Sequence, residues 1–356
     1  MRLKKNDSIF IIGAGYYPVY ESALANAFIQ TGYEKTELMT WKQYYNESHL
    51  LGDFIRRVEQ KICYGVNANR FNFDILKKCR KDHPKLIFLY TCRLVYPSTV
   101  KKLADLGIYI ASYCNDNPFS DYFPWYYWRN YLKSLPYCQT NYVYRLANVG
   151  DVKRVCGRPG RLLRSYYIDS KNFPCGEGDR IGSIPDVIFL GHYEDDDRMD
   201  YLRALDERGI AVGLPRNQYE RLVQAFHHVV LLDHEWESYN RYLCSCKIPI
   251  TFLSSLNHDT YTRRCFEIPA AGAFLFCPYT DDLASLFQEN KEIVFYRNKK
   301  DFVEKVEYYL RHDEERKRIA SAGRKRLLKD GHEVKDRIAQ VIEDYNVFYS
   351  RVEESR

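Results

Sequence analysis

Nowhere in these 356 residues is there a run of about 18 or more apolar side chains, so no segment is suited to cross a bilayer as a helix. The opening stretch, MRLKKNDSIFIIGAG, lacks the apolar core and small-residue cleavage site of a secretory signal. A cytoplasmic location is therefore expected, with peripheral contact at the inner face of the membrane left open. The 11 cysteines have no metal-ligand spacing. Cys244 and Cys246 form the tightest pair and have no second pair or histidine partner near them in sequence. Reduced, mostly buried thiols are expected, and no metal site. The 53 basic and 47 acidic side chains leave a net charge of only +6, and no basic stripe is dense enough for nucleic acid. Anionic substrates or an anionic surface remain compatible with that charge.

What is present is a chain long enough for two domains and, at 46% apolar residues, rich enough for two cores. The 32 tyrosines and 19 phenylalanines suit sugar clefts, since a tyrosine ring buries while its hydroxyl stays wet. Ordinary interfaces, or a compositional habit of the source organism, account for them equally well.

Apolar strands alternate with amphipathic helices along the chain. SIFIIGAGYYP reads as a strand (Ile9 to Ile12) entering a glycine turn. ESALANAFIQTG reads as a helix stopped by Gly32, KLIFLY (85–90) as a strand, PSTVKKLADLG as a helix and IYIASYC (108–114) as a strand. The second half repeats the theme. DVIFLG (186–191) is a strand, RMDYLRALDERG a helix, IAVGL a strand, YERLVQAFHH a helix, and VVLLD and IPITFLS (248–254) strands. AFLFC, a TDDLASLF helix and EIVFY complete that sheet. Between the halves, residues 166–186 are rich in Gly, Pro, Ser and Asp and read as a linker. The order predicts parallel sheets covered on both faces, in an α/β protein with two doubly wound domains. Three helical stripes follow at the C-terminus, with Asp313 placed to cap the second.

The most informative stretch is DTYTRRCFEIPAAGAFLFCPYTDDLASLF, residues 259–287. Asp259 precedes Glu267 by eight positions, Arg264 lies between them, and Ala270, Ala271 and Gly272 lead into a strand. A helix start offers unpaired N–H groups and a positive dipole to an anion. Arg264 is suited to a diphosphate, and Glu267 is suited to accept from ribose hydroxyls. The spacing resembles the donor motif of GT-B glycosyltransferases, in which two acids separated by seven other residues handle the sugar and the ribose. The wording R-x-F-E-I-P-A-x-G, followed by T-D-x-L-x-x-L-F, resembles the CgeB-like (spore maturation protein) glycosyltransferase family. The likeness extends through DVIFLGHY (186–193), KEIVFY (291–296) and KVEYYLRHDEERKRIASAGRKRLL (305–328). One departure is Asp259, where retaining GT-B enzymes carry Glu.

The resemblance implies two Rossmann-like domains facing a cleft. Residues 1–168 would bind the acceptor and residues 180–334 the nucleotide-sugar, while 335–356 form a helix crossing back to the first domain. It implies transfer from a nucleotide-sugar, a UDP-sugar foremost, to a hydroxyl of a glycan, lipid-linked or protein acceptor. Protein cations would replace metal, and no cofactor is needed. Gly191 and His192, at a strand end, would approach the diphosphate together with Ala271 and Gly272. Arg198 is either a second phosphate ligand or a solvated helix-start residue. Asp116, in Asn115-Asp116-Asn117-Pro118, resembles the family's D-D-P segment. It is either a general base or part of an Asx turn. Asp259 is the catalytic candidate on the donor side.

Gly13, Gly15 and Tyr16 lie where a GT-B enzyme meets acceptor and sugar. A dinucleotide fingerprint fails there, because Pro18 occupies the third glycine position. PWYYWRNYLKSLPY (124–137) allows an interfacial patch, a lid or plain core. The rivals to a glycosyltransferase are an inactive envelope or spore-coat protein of the same fold and a Rossmann oxidoreductase.

Overall fold

The computed structural model describes residues 2–46, 52–233 and 238–354. The chain divides into two units, residues 1–164 with 334–356, and residues 165–333.

The first unit opens on β1 (Ile9–Gly13), buried along its whole length, as a strand covered on both faces must be. Pro18 starts α1 (Pro18–Gln30), where its missing N–H would have had no helical partner. There follow β2 (Thr36–Thr40), α2 (Lys42–Asn46), α3 (Asp53–Ile62), α4 (Val66–Asp82), β3 (Leu86–Tyr90), α5 (Pro97–Asp105) and β4 (Tyr109–Cys114). Then come α6 (Arg129–Ser134), β5 (Thr140–Val143), α7 (Ala147–Cys156) and β6 (Arg161–Leu162). The strands form one parallel sheet in the order β2-β1-β3-β4-β5-β6. On one face Phe10, Ile12, Ile87, Leu89 and Ile110 pack against Phe71, Ile75, Val100 and Leu103.

The second unit contains β7 (Val187–Ile188), α8 (Arg198–Asp206), β8 (Val212–Pro215), α9 (Arg216–Tyr219), β9 (Val229–Leu232), α10 (Tyr239–Ser245) and β10 (Ile248–Pro249). It continues with α11 (Arg264–Ala270), β11 (Phe276–Pro278), α12 (Asp281–Leu286), β12 (Val294–Tyr296), α13 (Lys299–Arg311) and α14 (Asp313–Lys329). One parallel sheet runs β10-β7-β8-β9, a second pairs β11 with β12, and a parallel bridge from Ile250 to Phe276 joins them. Read across, the order is β12-β11-β10-β7-β8-β9, the doubly wound order of a Rossmann sheet. Its switch point lies between β7 and β10, where such sheets bind ligands beyond the carboxyl ends of the strands.

The last helix, α15 (Val334–Glu354), belongs to the first unit. Asp344 accepts from Tyr142 Oη (2.6 Å) and Arg161 Nε (2.6 Å), Asn346 Oδ1 accepts from Leu3 N (2.8 Å), and the Tyr345 ring lies 5.1 Å from that of Tyr109.

The structure departs from the sequence reading in four places. YERLVQAFHH is not a helix: α9 ends at Tyr219, and turns carry the chain to β9. The buried Asp206 carboxylate accepts from His227 N (2.9 Å) and also takes His228 N, drawing these amides into a turn instead of a helical ladder. DVIFLG and IPITFLS form strands of only two residues each, the second extended by the single Ile250 bridge. Asp313 is the first residue of α14 rather than its cap, and it binds Arg316 Nη2 at 2.6 Å. The segment read as a linker is fastened along α10. Asn240 Nδ2 donates to Phe173 O (2.8 Å), Ile181 N to Ser245 Oγ (2.7 Å) and Arg241 Nε to Asp179 O (2.7 Å).

Candidate functional site

In the second unit the polar groups gather at the switch point. β7 runs out through Leu190 into Gly191 and His192. An added Cβ on Gly191 would meet the Phe189 ring at 2.1 Å, so any larger residue there would have to push that ring aside. Arg264, at the start of α11, donates from Nη2 to Leu190 O at 2.7 Å, tying the motif helix to the exit of β7. Glu267 lies one turn further on, buried, and accepts from Tyr239 Oη at 3.2 Å. Neither Tyr239 nor its helix α10 is in the sequence reading, although YNRYLCS places buried Tyr239, Asn240, Tyr242 and Leu243 at helical spacing.

Arg198 is not the solvated helix-start residue of one sequence reading. It is 3% exposed and turned inward. Asp196 binds Arg198 Nε and Nη2 (2.6 and 2.7 Å), Glu194 binds Nη2 (3.3 Å), and the His192 carbonyl accepts from Nη1. Burial disfavours its charge, but these acids outweigh that effect and raise its pKa. Arg198 thus braces the acidic loop beneath Gly191 and His192, and its donors are directed at protein oxygens. Tyr219 Oη also donates to His192 O, at 3.2 Å.

Asp259 lies on a different wall. It lines a cavity of about 590 Å³ with Asp197, Ser254, His258, Tyr279 and Arg297, beyond the carboxyl ends of β10, β11 and β12. Arg297 is held by both Glu289 oxygens (2.6 and 2.8 Å) and stacks 4.4 Å from the Tyr279 ring centre. Ser254 Oγ donates to Glu194 Oε2 (3.0 Å), so this cavity adjoins the acidic loop. Neither Arg264 nor Glu267 lines it.

Ala271 and Gly272 are separated from the other donor candidates. They stand at the C-terminal end of α11, with Gly272 at φ +73°, and line another cavity with Cys175, Cys244 and Arg324. Seven helical residues put about 10 Å between the two ends of α11. The alanine–glycine pair therefore ends the helix rather than meeting Gly191.

In the first unit, Gly13 ends β1 and Gly15 and Tyr16 follow it as expected, but this turn is bonded to the protein itself. The buried Glu21 carboxylate accepts from Ala14 N (2.6 Å) and Gly15 N (2.9 Å), and a Cβ on Gly13 would come within 2.5 Å of it. Burial pushes the Glu21 carboxyl up, against the pull of these two amides. Tyr16 packs edge-on to Trp41 at 4.8 Å and donates to Gln60 Oε1 at 3.1 Å.

Asp116 follows β4. Burial pushes its carboxyl above the ordinary range, with Arg145 and Arg93 pulling the other way. The turn reading holds for its neighbours, because Asn117 Oδ1 accepts from Phe119 N (3.2 Å) and Asn148 Nδ2 (3.0 Å). Arg145 is fully buried and Arg93 lies 3.8 Å from the Tyr127 ring centre. No spacing rule marks either arginine in the sequence. Residues 124–137 divide: Trp128 and Tyr131 are core, whereas Trp125 is 75% exposed.

Among the described residues no group of three or more His, Cys, Asp or Glu side chains is arranged to hold a metal ion, and no helix is long and apolar enough to cross a membrane.

Residues 199–343 match the family model described as "Glycosyl transferase-like". Among curated proteins, none matches the sequence. The structure is similar to sucrose-phosphate synthase from Thermosynechococcus elongatus, with a TM-score of 0.72 at 11% identity, covering 97% of this chain and 100% of that one. It is similar to Anabaena HepE in complex with UDP-glucose (TM-score 0.67, 9% identity, 94% of this chain and 98% of that one). It is also similar to α,α-trehalose 6-phosphate synthase from Burkholderia multivorans (TM-score 0.63, 11% identity, 99% of each chain). The chain has the GT-B fold, two Rossmann-like units with the last helix returned to the first, and its residues 199–343 carry the pattern of a glycosyl transferase-like family.

Proposed function

We propose that this protein is a glycosyltransferase that moves a sugar from a UDP-sugar to an acceptor hydroxyl without a metal ion. The observation that carries the reading is Arg264, whose guanidinium reaches Leu190 O across the switch point of the second unit, within the segment that matches the glycosyl transferase-like model. The choice of UDP rests on the nucleotide held by the HepE neighbours.

The acceptor oxygen bonds to the anomeric carbon as the bond from that carbon to the diphosphate breaks. Negative charge builds on the departing UDP, and Arg264 meets it. Glu267 accepts from the ribose hydroxyls, and Asp259 handles the sugar from its neighbouring cavity. The acceptor proton passes to Asp116 if configuration inverts, or to the leaving phosphate if it is retained. A raised carboxyl pKa suits Asp116 to the first role. Independence from metal is supported by the acidic loop, because Glu194 and Asp196, its two most enclosed acids, are both paired with the Arg198 guanidinium. A CgeB-like assignment within this class rests on the motif wording of residues 259–287.

Thermal shift with UDP, ADP, GDP and UDP-sugars, in chelator and with added magnesium, tests the reading. A ligand at 100 times its Kd adds about 2.7 kcal/mol. Selective stabilisation by UDP and slow hydrolysis of one UDP-sugar in chelator are expected. Stabilisation without hydrolysis or transfer would favour an inactive protein of the same fold, and a response to nicotinamide cofactors alone would favour an oxidoreductase.

A further inference from the structure

Helix α3 is packed inside out. Its inward side is polar: Glu59 is 3% exposed and accepts from Ala68 N (2.7 Å) and Asn67 Nδ2 (3.3 Å), and Arg56 Nη1 donates to Tyr45 O (3.2 Å). Its outward side is apolar, with Phe54 78%, Ile55 51%, Ile62 40% and Val58 39% exposed. At about 100° per residue these four fall within one stripe about 100° wide. Ordinary surface helices place such a stripe against the core. Here the core is closed without it.

A loop with exposed aromatic rings is tied to the end of the helix. Asn130 Nδ2 donates to Cys63 O at 2.8 Å, just past the end of α3, and Cys63 Sγ lies 3.7 Å from Tyr127 O. The loop so joined presents Trp125 and Tyr122, 75% and 60% exposed, with the Arg129 guanidinium 5.7 Å from the Trp125 ring centre. Arg57 and Lys61 border the apolar stripe on α3 and are exposed.

We propose that this face docks on an anionic lipid surface, with Phe54, Ile55, Val58 and Ile62 in the acyl boundary, Trp125 at headgroup level, and Arg57, Lys61 and Arg129 on the lipid phosphates. Apolar stripes edged by cations bind there through buried area and charge together, and tryptophan favours the same depth. A second copy is the poorer occupant, because self-docking would bring Arg57 and Lys61 towards their own counterparts. The assignment does not depend on the donor chemistry.

The test is co-sedimentation of the full chain with vesicles of phosphatidylcholine alone and of an equal mixture with phosphatidylglycerol, at low and high salt. Binding to the mixed vesicles, weakened by salt, is expected. Phe54→Ser with Val58→Ser should lower the partition coefficient by about tenfold or more, since two of the four apolar anchors are lost. Arg57→Gln with Lys61→Gln should reduce binding to mixed vesicles and abolish the preference for them. Melting temperature and UDP-induced thermal shift should stay unchanged in both variants. No binding to mixed vesicles, or binding that survives the serine pair, overturns the proposal. So does a dimer in size-exclusion chromatography that the serine pair dissociates, which would make the face an interface between copies. Because the UDP response is read separately, failure here and failure of the glycosyltransferase reading remain distinguishable.

Discussion

At the scale of single residues, burial decides what a charged side chain can do. Arg198 is the clearest case, since its charge is spent on Asp196, Glu194 and the His192 carbonyl. Arg198→Ala should destabilise the fold by about 3–5 kcal/mol, because it leaves enclosed carboxylates without their cation. A lower melting temperature in the absence of nucleotide checks this; a change confined to UDP affinity would restore it as a phosphate ligand. Arg264→Ala should act the other way, costing about 2.7–4 kcal/mol in kcat for transfer by removing charge stabilisation from the leaving diphosphate. Lysine should rescue only partly, since it cannot bind bidentately. Glu267→Ala should weaken UDP binding by roughly 1.5–3 kcal/mol through lost ribose hydrogen bonds, measurable by calorimetry.

Asp116 joins stability to activity. Its carboxyl titrates above the ordinary range, so the folded state holds the proton more tightly than the unfolded chain. Its favourable contribution is complete below the unfolded value, about 3.9, and is lost as pH rises through the higher folded value. Asp116→Asn should therefore stabilise the protein at neutral pH, seen as a raised melting temperature. If the reaction inverts, the same change should cut kcat by roughly 10²–10⁴, and the acid limb of the wild-type pH profile should lie above the usual carboxylate range. Near-normal kcat would remove the base role, and the anomeric configuration of the product would identify the alternative.

At the scale of elements, the turn between α9 and β9 shows how one buried acid overrides a helical pattern. Burial raises the Asp206 carboxyl, but the amides of His227 and His228 outweigh it and hold the group below its usual range. Its stabilisation is therefore complete above the unfolded value and lost as pH falls through the lower folded one. Asp206→Ala should cost about 3 kcal/mol by removing charge-assisted bonds to two amides. Hydrogen exchange at residues 220–228 should rise with it, and unchanged protection there would show that the turn holds by packing of Val223 and Phe226 alone.

At the scale of the molecule, the last helix makes the first unit discontinuous in sequence. Tyr142 and Arg161 from neighbouring strands meet on Asp344, and Tyr109 packs on Tyr345. A chain ending after Glu333 should lose hydrogen-exchange protection first in β4, β5 and α1, while β7, β8 and β9 keep theirs. Uniform loss would mean that the two units fold as one.

Much of the architecture was legible because apolar runs and glycine stops are local signals. β1, β3, β4, α5, α8 and the C-terminal helices stand within a few residues of their sequence-read positions. The spacing of Asp259, Arg264 and Glu267 was likewise visible, since it depends on one loop and one helix turn. What periodicity cannot report is what a face meets. The stripe of α3 is one a core helix also carries, yet its polar side is the one packed inward. The 219–228 segment has helical spacing, but Asp206 takes its amides. Arg198 begins a helix as read, but the acids that turn it inward act through a folded loop. Ala271 and Gly272 adjoin the motif in sequence but stand a helix length from Arg264. In each case the sequence determined the local geometry, and the tertiary structure decided which partner each group met. Burial and pairing energies depend on neighbours that only the folded chain brings within a few ångströms.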